Sequence, residues 1–136
     1  MRRTAIVLAA TFGLCVAYVV AHWALIELGR EVIVLRTEKL DGEWRETRLW
    51  IVDDGAFSWL HGGHSAWMRD LRARPIVEIE RGRETHRYRA YAVPGPHPKL
   101  HELLRAKYGV ADRWVRFVGP DDESTTPVRL ELLDAP

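Results

Sequence analysis

From Thr4 to Ile26 the chain runs 23 residues without a formal charge. Apolar residues fall on every side of the helix this stretch predicts, unlike the striped surface helix of a soluble fold. At ~1.5 Å per residue it extends about 34 Å, enough to cross a hydrocarbon core of about 30 Å. Tyr18, His22 and Trp23 cluster toward its end, where amphipathic rings favour a membrane interface. A cleaved signal peptide is the competing reading, with Arg2 and Arg3 as its basic start and Val19-Val20-Ala21 as a small-residue site. The run is longer than the ~7–15 apolar residues of such a signal, which favours a retained span. Residues 1–28 therefore read as an N-terminal transmembrane anchor and 29–136 as one globular domain. Arg30, Arg36 and Lys39 follow the span as Arg2 and Arg3 precede it, so flanking charge sets no orientation.

Beyond the span the period changes from continuous to alternating. Glu31–Thr37 is β-branched and apolar, Asp41-Gly42 is a hairpin turn signal, and Arg45–Val52 alternates with Thr47, Leu49 and Ile51 on one side. Asp54-Gly55 is a second turn, leading into Ala56–His61, so three strands are expected in a meander. Ser65 stands where it can cap a helix over Ala66–Ala73, which Pro75 stops. Ile76–Glu80 and Glu84–Val93 alternate about a turn at Gly82. After a proline-rich link, Leu100, Leu103, Leu104 and Tyr108 recur at helical spacing up to Gly109. A short helix over Asp112–Val118, a polar loop and a closing strand over Pro127–Leu133 complete the chain. Six strands with short helices predict a mainly β (α+β) small barrel.

Charge narrows the function. The basic residues number 20 and the acidic ones 19, and with Arg2 and Arg3 lying before the span the globular part is near neutral. A nucleic-acid face normally carries a basic footprint, so no nucleic acid is expected as a partner. Cys15 is the sole cysteine and lies inside the apolar run, which excludes an intramolecular disulfide. Arginine outnumbers lysine 17 to 3, so forked donors suited to phosphate or carboxylate are plentiful.

Three stretches, GEWRETRLWI (42–51), GHSAWMRDLRARP (63–75) and KYGVADRWV (107–115), followed by PVRLEL (127–132), carry a resemblance across Val32–Leu133. Together they resemble the deazaflavin-dependent nitroreductase/quinone reductase-like group of the flavin- and deazaflavin-binding split β-barrels. The resemblance implies a split β-barrel, often a homodimer, that binds coenzyme F420 or a related flavin. It also implies reduction of a lipophilic acceptor, such as a quinone or nitro compound, with the anchor holding the domain at the membrane. In that group the first hairpin and the loop before the tryptophan-bearing helix grip the cofactor. Along Lys39–Arg45, the residues Lys39, Gly42 and Arg45 fit the family pattern, whereas Leu40, Asp41, Glu43 and Trp44 depart from it. Two carboxylates there would repel a phosphate within ~4 Å by about a kcal/mol or more, which keeps FMN, haem or no cofactor as alternatives.

The candidate cofactor contacts are accordingly Lys39, Arg45, Arg48, His61, Gly62, Gly63 and Trp67, with Trp50 and Tyr108 as candidates to flank a flavin ring or quinone. Each has a plainer reading. Cations at a hairpin commonly form a solvated strand edge, Gly62-Gly63 suits an ordinary strand-to-helix turn, and aromatic residues usually pack in the core. His61/His64 and His97/His101 look like ligand pairs, but no third ligand is spaced nearby in sequence, so no metal is expected. His61 also remains a candidate haem ligand. Ser58, Ser65 and Ser124 lack the flanking glycines of a nucleophile elbow.

Overall fold

The computed structural model describes residues 2–133. Met1 and 134–136, the outer ends of the expected anchor and domain, lie outside the described residues. The chain divides between Arg30 and Glu31 into two units. The first is helix α1 (Arg2–Glu27), whose segment Ile6–Glu27 is long and apolar enough to cross a membrane and has no part buried.

The second unit contains, among the described residues, seven strands and three helices. In chain order these are β1 (Ile33–Glu38), β2 (Trp44–Leu49), β3 (Val52–Asp54), β4 (Phe57–Gly62), α2 (Ala66–Ala73), β5 (Ile76–Arg81), β6 (Glu84–Ala92), α3 (Pro98–Tyr108), α4 (Val110–Val118) and β7 (Thr126–Leu132). All strand pairs are antiparallel, in the order β2-β1-β5-β6-β7-β4-β3. The expected α+β class holds, as a curled half-barrel.

Two expectations are corrected. The run Arg45–Val52 is not one strand but two, raising six strands to seven. The three-strand meander is also absent, because β2 pairs only with β1 while β3 pairs with β4 at the opposite edge. The physical cause lies at Trp50-Ile51, whose backbone leaves the sheet and bonds elsewhere. Ile51 N–H donates to the Tyr108 hydroxyl at 3.1 Å, and Lys107 Nζ donates to Ile51 O at 2.6 Å. The same hydroxyl lies 3.0 Å from Ile51 O and 2.9 Å from Glu31 O, and its single proton serves one of them at a time. Tyr108 is 4% exposed, and burial pushes its phenol pKa up to about 12, keeping it a neutral donor.

Alternation does the rest. Ile33, Leu35, Val77, Ile79, Ala90, Val128 and Leu130 face inward, and α2 contributes Trp67, Met68 and Leu71 to the same core. A second cluster joins Val52 of β3 to Leu100, Leu104 and Tyr108 of α3. Gly109 ends α3 with φ 54°, a conformation a side chain would strain.

Arg81, at the end of β5, links both sides of the curl. It donates to Glu31 Oε2 at 3.0 Å and to Asp53 Oδ2 of β3 at 2.8 Å. Hydrogen bonds from Arg81 hold both carboxyls below their ordinary values of 4.5 and 3.8. Their charged forms therefore favour the fold above those values, and that contribution disappears as pH falls through the lowered folded-state values.

Two outcomes test this framework on the full chain in detergent. Tyr108→Phe leaves the buried Ile51 N–H unpaired and is expected to cost about 1–3 kcal/mol in urea unfolding followed by circular dichroism. Arg81→Met is expected to be less stable at neutral pH and to lose less stability on acidification, so that its curve converges with the wild-type curve at low pH. Parallel curves would refute the role of Arg81.

Candidate functional site

The first hairpin is built as its sequence requires: Gly42 takes φ 86°, and Lys39 N–H donates to Glu43 O at 2.8 Å. Its cations have local partners. Lys39 Nζ bonds the Glu43 carboxylate and lies 3.5 Å from Asp41, with Glu43 mostly exposed. Arg45 Nε donates to Asp70 Oδ2 of α2 at 2.7 Å, an oxygen that also accepts from the buried Thr37 hydroxyl at 3.2 Å. Arg48 lies on the other face of the strand. Arg45, Thr47 and Leu49 take the half-buried side of β2, whereas Trp44, Glu46 and Arg48 take its exposed side. Arg45 and Arg48 therefore cannot close on one phosphate from the same strand face.

The loop from β4 to α2 presents a different picture. Gly62 is filled from beneath: a Cβ there would stand 2.7 Å from Met68 Sδ and from the Trp67 ring. Trp67, 5% exposed, is thus the floor of this turn and a core residue. Gly63 is less crowded: the nearest neighbour of a Cβ there would be Ser124 Oγ, at 3.3 Å. Ser65 occupies the N-cap position of α2 without capping it, and among the described residues its buried hydroxyl has no hydrogen-bond partner. A buried orphan hydroxyl is costly unless something meets it. In the hairpin, Lys39 is the cation whose carboxylate partners are mostly exposed.

Trp50 and Tyr108 do not hold a slot open. Their rings stack on each other at 4.4 Å between centroids with 8° between planes. Tyr108 also makes the backbone bonds described above.

His61 turns away from the loop toward α3. Its Nε2 lies 3.1 Å from His97 Nε2, and His101 stands one helical turn beyond His97. Asp121, from the loop after α4, lies 2.6 Å from His101 Nε2 and 3.5 Å from the Nε2 atoms of both His61 and His97. The fold thus brings together members of the two histidine pairs with an acidic third element that sequence spacing did not reveal. His64 is not in this group. Burial is the main cause that lowers the His61 and His101 pKa values, favouring neutral rings.

Beside His97 opens an apolar pocket of about 220 Å³, lined among others by Trp59, Val93, Pro94, Leu100 and Leu103. His61, in β4, meets His97 on the pocket wall. Sequence reasoning missed the pocket, although its proline-rich link was visible.

No family model matches the chain, and no curated protein matches it. Solved structures do. HutZ, the haem storage protein from Vibrio cholerae, aligns with TM-score 0.58 at 15% identity over 79% of this chain and 84% of its own. An FAD-binding protein from Mesorhizobium loti aligns with TM-score 0.55 at 17% identity over 82% and 86%. An F420-H2 dependent reductase aligns with TM-score 0.58 at 17% identity over 74% and 93%. The fold is that of the split β-barrels. At these identities the likeness extends to the fold and no further.

The crowding at Gly62 gives a direct test. Gly62→Ala is expected to cost about 1–3 kcal/mol through overpacking against Trp67 and Met68, and Gly63→Ala less, by urea unfolding of the full chain. Equal costs at the two glycines would contradict the packing described.

Proposed function

We propose that this chain is a membrane-tethered oxidoreductase, in which a split barrel uses a reduced deazaflavin, coenzyme F420, or a flavin to reduce a lipophilic acceptor such as a quinone or nitro compound. The observation that carries this reading is the apolar pocket beside His97, set in a domain with the split β-barrel fold. Solved structures of this fold whose names include haem, FAD and F420-H2 support it, as does the apolar helix α1.

When bound, the reduced cofactor supplies a hydride. The chain's own task is binding, orientation and water exclusion. Gly63 allows close approach of backbone, Ser65 offers its hydroxyl to a polar ring edge, and Lys39 offers its ammonium to the anionic tail. Trp67 fixes the floor through Gly62. The pocket beside His97 has the apolar lining that a quinone or nitroaromatic ring requires. Helix α1, as a membrane span, would hold the domain where such acceptors dissolve, and a homodimer is compatible with this arrangement.

A second reading is favoured by the hairpin: a non-catalytic ligand-binding, haem-binding or interaction module that has lost the usual cofactor site. Lys39 and Arg45 already meet carboxylates, and Arg48 lies on the other face of β2.

Titration of the full chain in detergent with F420, FMN and haemin, followed by fluorescence and absorbance, separates the two. The reductase reading expects F420 or FMN to bind with a Kd below roughly 50 µM, equivalent to about 6 kcal/mol. Ser65→Ala is expected to weaken that binding several-fold while leaving the fold as stable as before or more so, because it removes an unpaired buried hydroxyl. Failure of both F420 and FMN to bind would refute the reductase reading. Binding of haemin alone would select the haem module.

A further inference from the structure

We propose that His61, His97, His101 and Asp121 form a binding site for one divalent transition-metal ion of the zinc type. The site does not depend on the cofactor reading above, although its His97 also lines the apolar pocket.

Four observations converge. First, one donor atom from each residue lies within 4.8 Å of all the others. Second, the spacing matches the ion. Metal–donor bonds of about 2.0–2.1 Å in a tetrahedron set neighbouring donors about 3.3 Å apart. Here His61 Nε2 is 3.1 Å from His97 Nε2, and each is 3.5 Å from Asp121 Oδ2. The His61–His97 distance is slightly tighter than such an edge, and the 2.6 Å approach of Asp121 to His101 markedly so. Third, His97 is oriented from behind: its Nδ1 lies 2.8 Å from Gly95 O, which fixes the proton there and leaves the Nε2 lone pair facing the cluster. Metal-bound histidines are held in this way. Fourth, His101 Nε2 is buried, and its close polar neighbour is the Asp121 carboxylate at 2.6 Å. An ion at the centre would meet both.

The alternative is a self-contained polar cluster in which Asp121 partners the histidines, helped by Arg116. Arg116 Nη1 stands 3.7 Å from Asp121, but Arg116 Nε donates to Asp112 at 3.0 Å, so it has its own carboxylate. Three imidazoles and one carboxylate suit zinc and its neighbours rather than calcium or magnesium, which prefer oxygen ligands. Four protein ligands would close the coordination sphere, giving a structural clasp rather than an open catalytic centre. The clasp would join β4, the start of α3 and the loop before β7.

The test uses the full chain in detergent, stripped with a chelator and dialysed. Zinc is titrated by calorimetry, and cobalt serves as the spectroscopic probe. Expected are one ion per chain, the intense visible bands of tetrahedral cobalt, and a thermal midpoint raised by zinc and lowered again by chelation. His101→Ala and Asp121→Asn should each weaken binding by more than about tenfold, whereas His86→Ala, remote from the cluster, should not. Asp121→Asn preserves shape, so a folded variant that loses the metal supports the site. Cobalt that stays octahedral, or equal affinity in Asp121→Asn and wild type, would overturn it.

Discussion

Two residues, Trp50 and Ile51, join strands that lie at opposite edges of a seven-stranded sheet. From Leu49 to Val52 the backbone spans at most about 11 Å, since each residue extends no more than about 3.6 Å. A flat sheet of seven strands would separate its edges by roughly 29 Å, at about 4.8 Å per strand. The sheet must therefore curl until its edges nearly meet. The interior this creates is filled by Trp67, Met68 and Leu71 of α2. The passage itself carries backbone groups that no strand pairs, and Tyr108 with Lys107 meets those of Ile51. Arg81 reinforces the closure by holding Glu31 before β1 and Asp53 of β3 at once.

That closure also decides where chemistry can gather. Tyr108 fixes the end of α3 against Ile51, and the start of the same helix carries His97 and His101. Strand β4 pairs with both β3 and β7, so His61 stands opposite Pro127 and near the loop that delivers Asp121. The histidine cluster, the apolar pocket and the glycine loop are thus consequences of one topological requirement. A sheet that remained open would hold none of them together.

Local features of this fold were legible in the chain because they follow local rules. Alternation located Val77 and Ile79 inside β5, and Ala66–Ala73 was bounded by Ser65 and Pro75 as expected. The opposite faces of Arg45 and Arg48 follow from the same period of two, since three positions apart in a strand means opposite sides. The division of Arg45–Val52 was not legible. Its alternation continues through Trp50 and Ile51, and what breaks the strand is a hydroxyl 57 positions later. For the same reason His61 gave no sign of His97, 36 positions away: ligand spacing in sequence reports helices and turns, not strand order.

The electrostatics of the hairpin set a limit on any anion it receives. The Lys39 pair with Glu43 is mostly exposed, and such pairs are worth about 0–1 kcal/mol, so an incoming phosphate can replace the carboxylate at little cost. Arg45 differs, because Asp70 is only 12% exposed and is also held by Thr37. Withdrawing Arg45 would leave a partly buried carboxylate with one neutral donor, a far larger penalty. One exchangeable cation rather than a three-pronged clamp is therefore what this hairpin offers. A flavin-like ligand at this hairpin would therefore draw little of its binding energy from a cationic clamp.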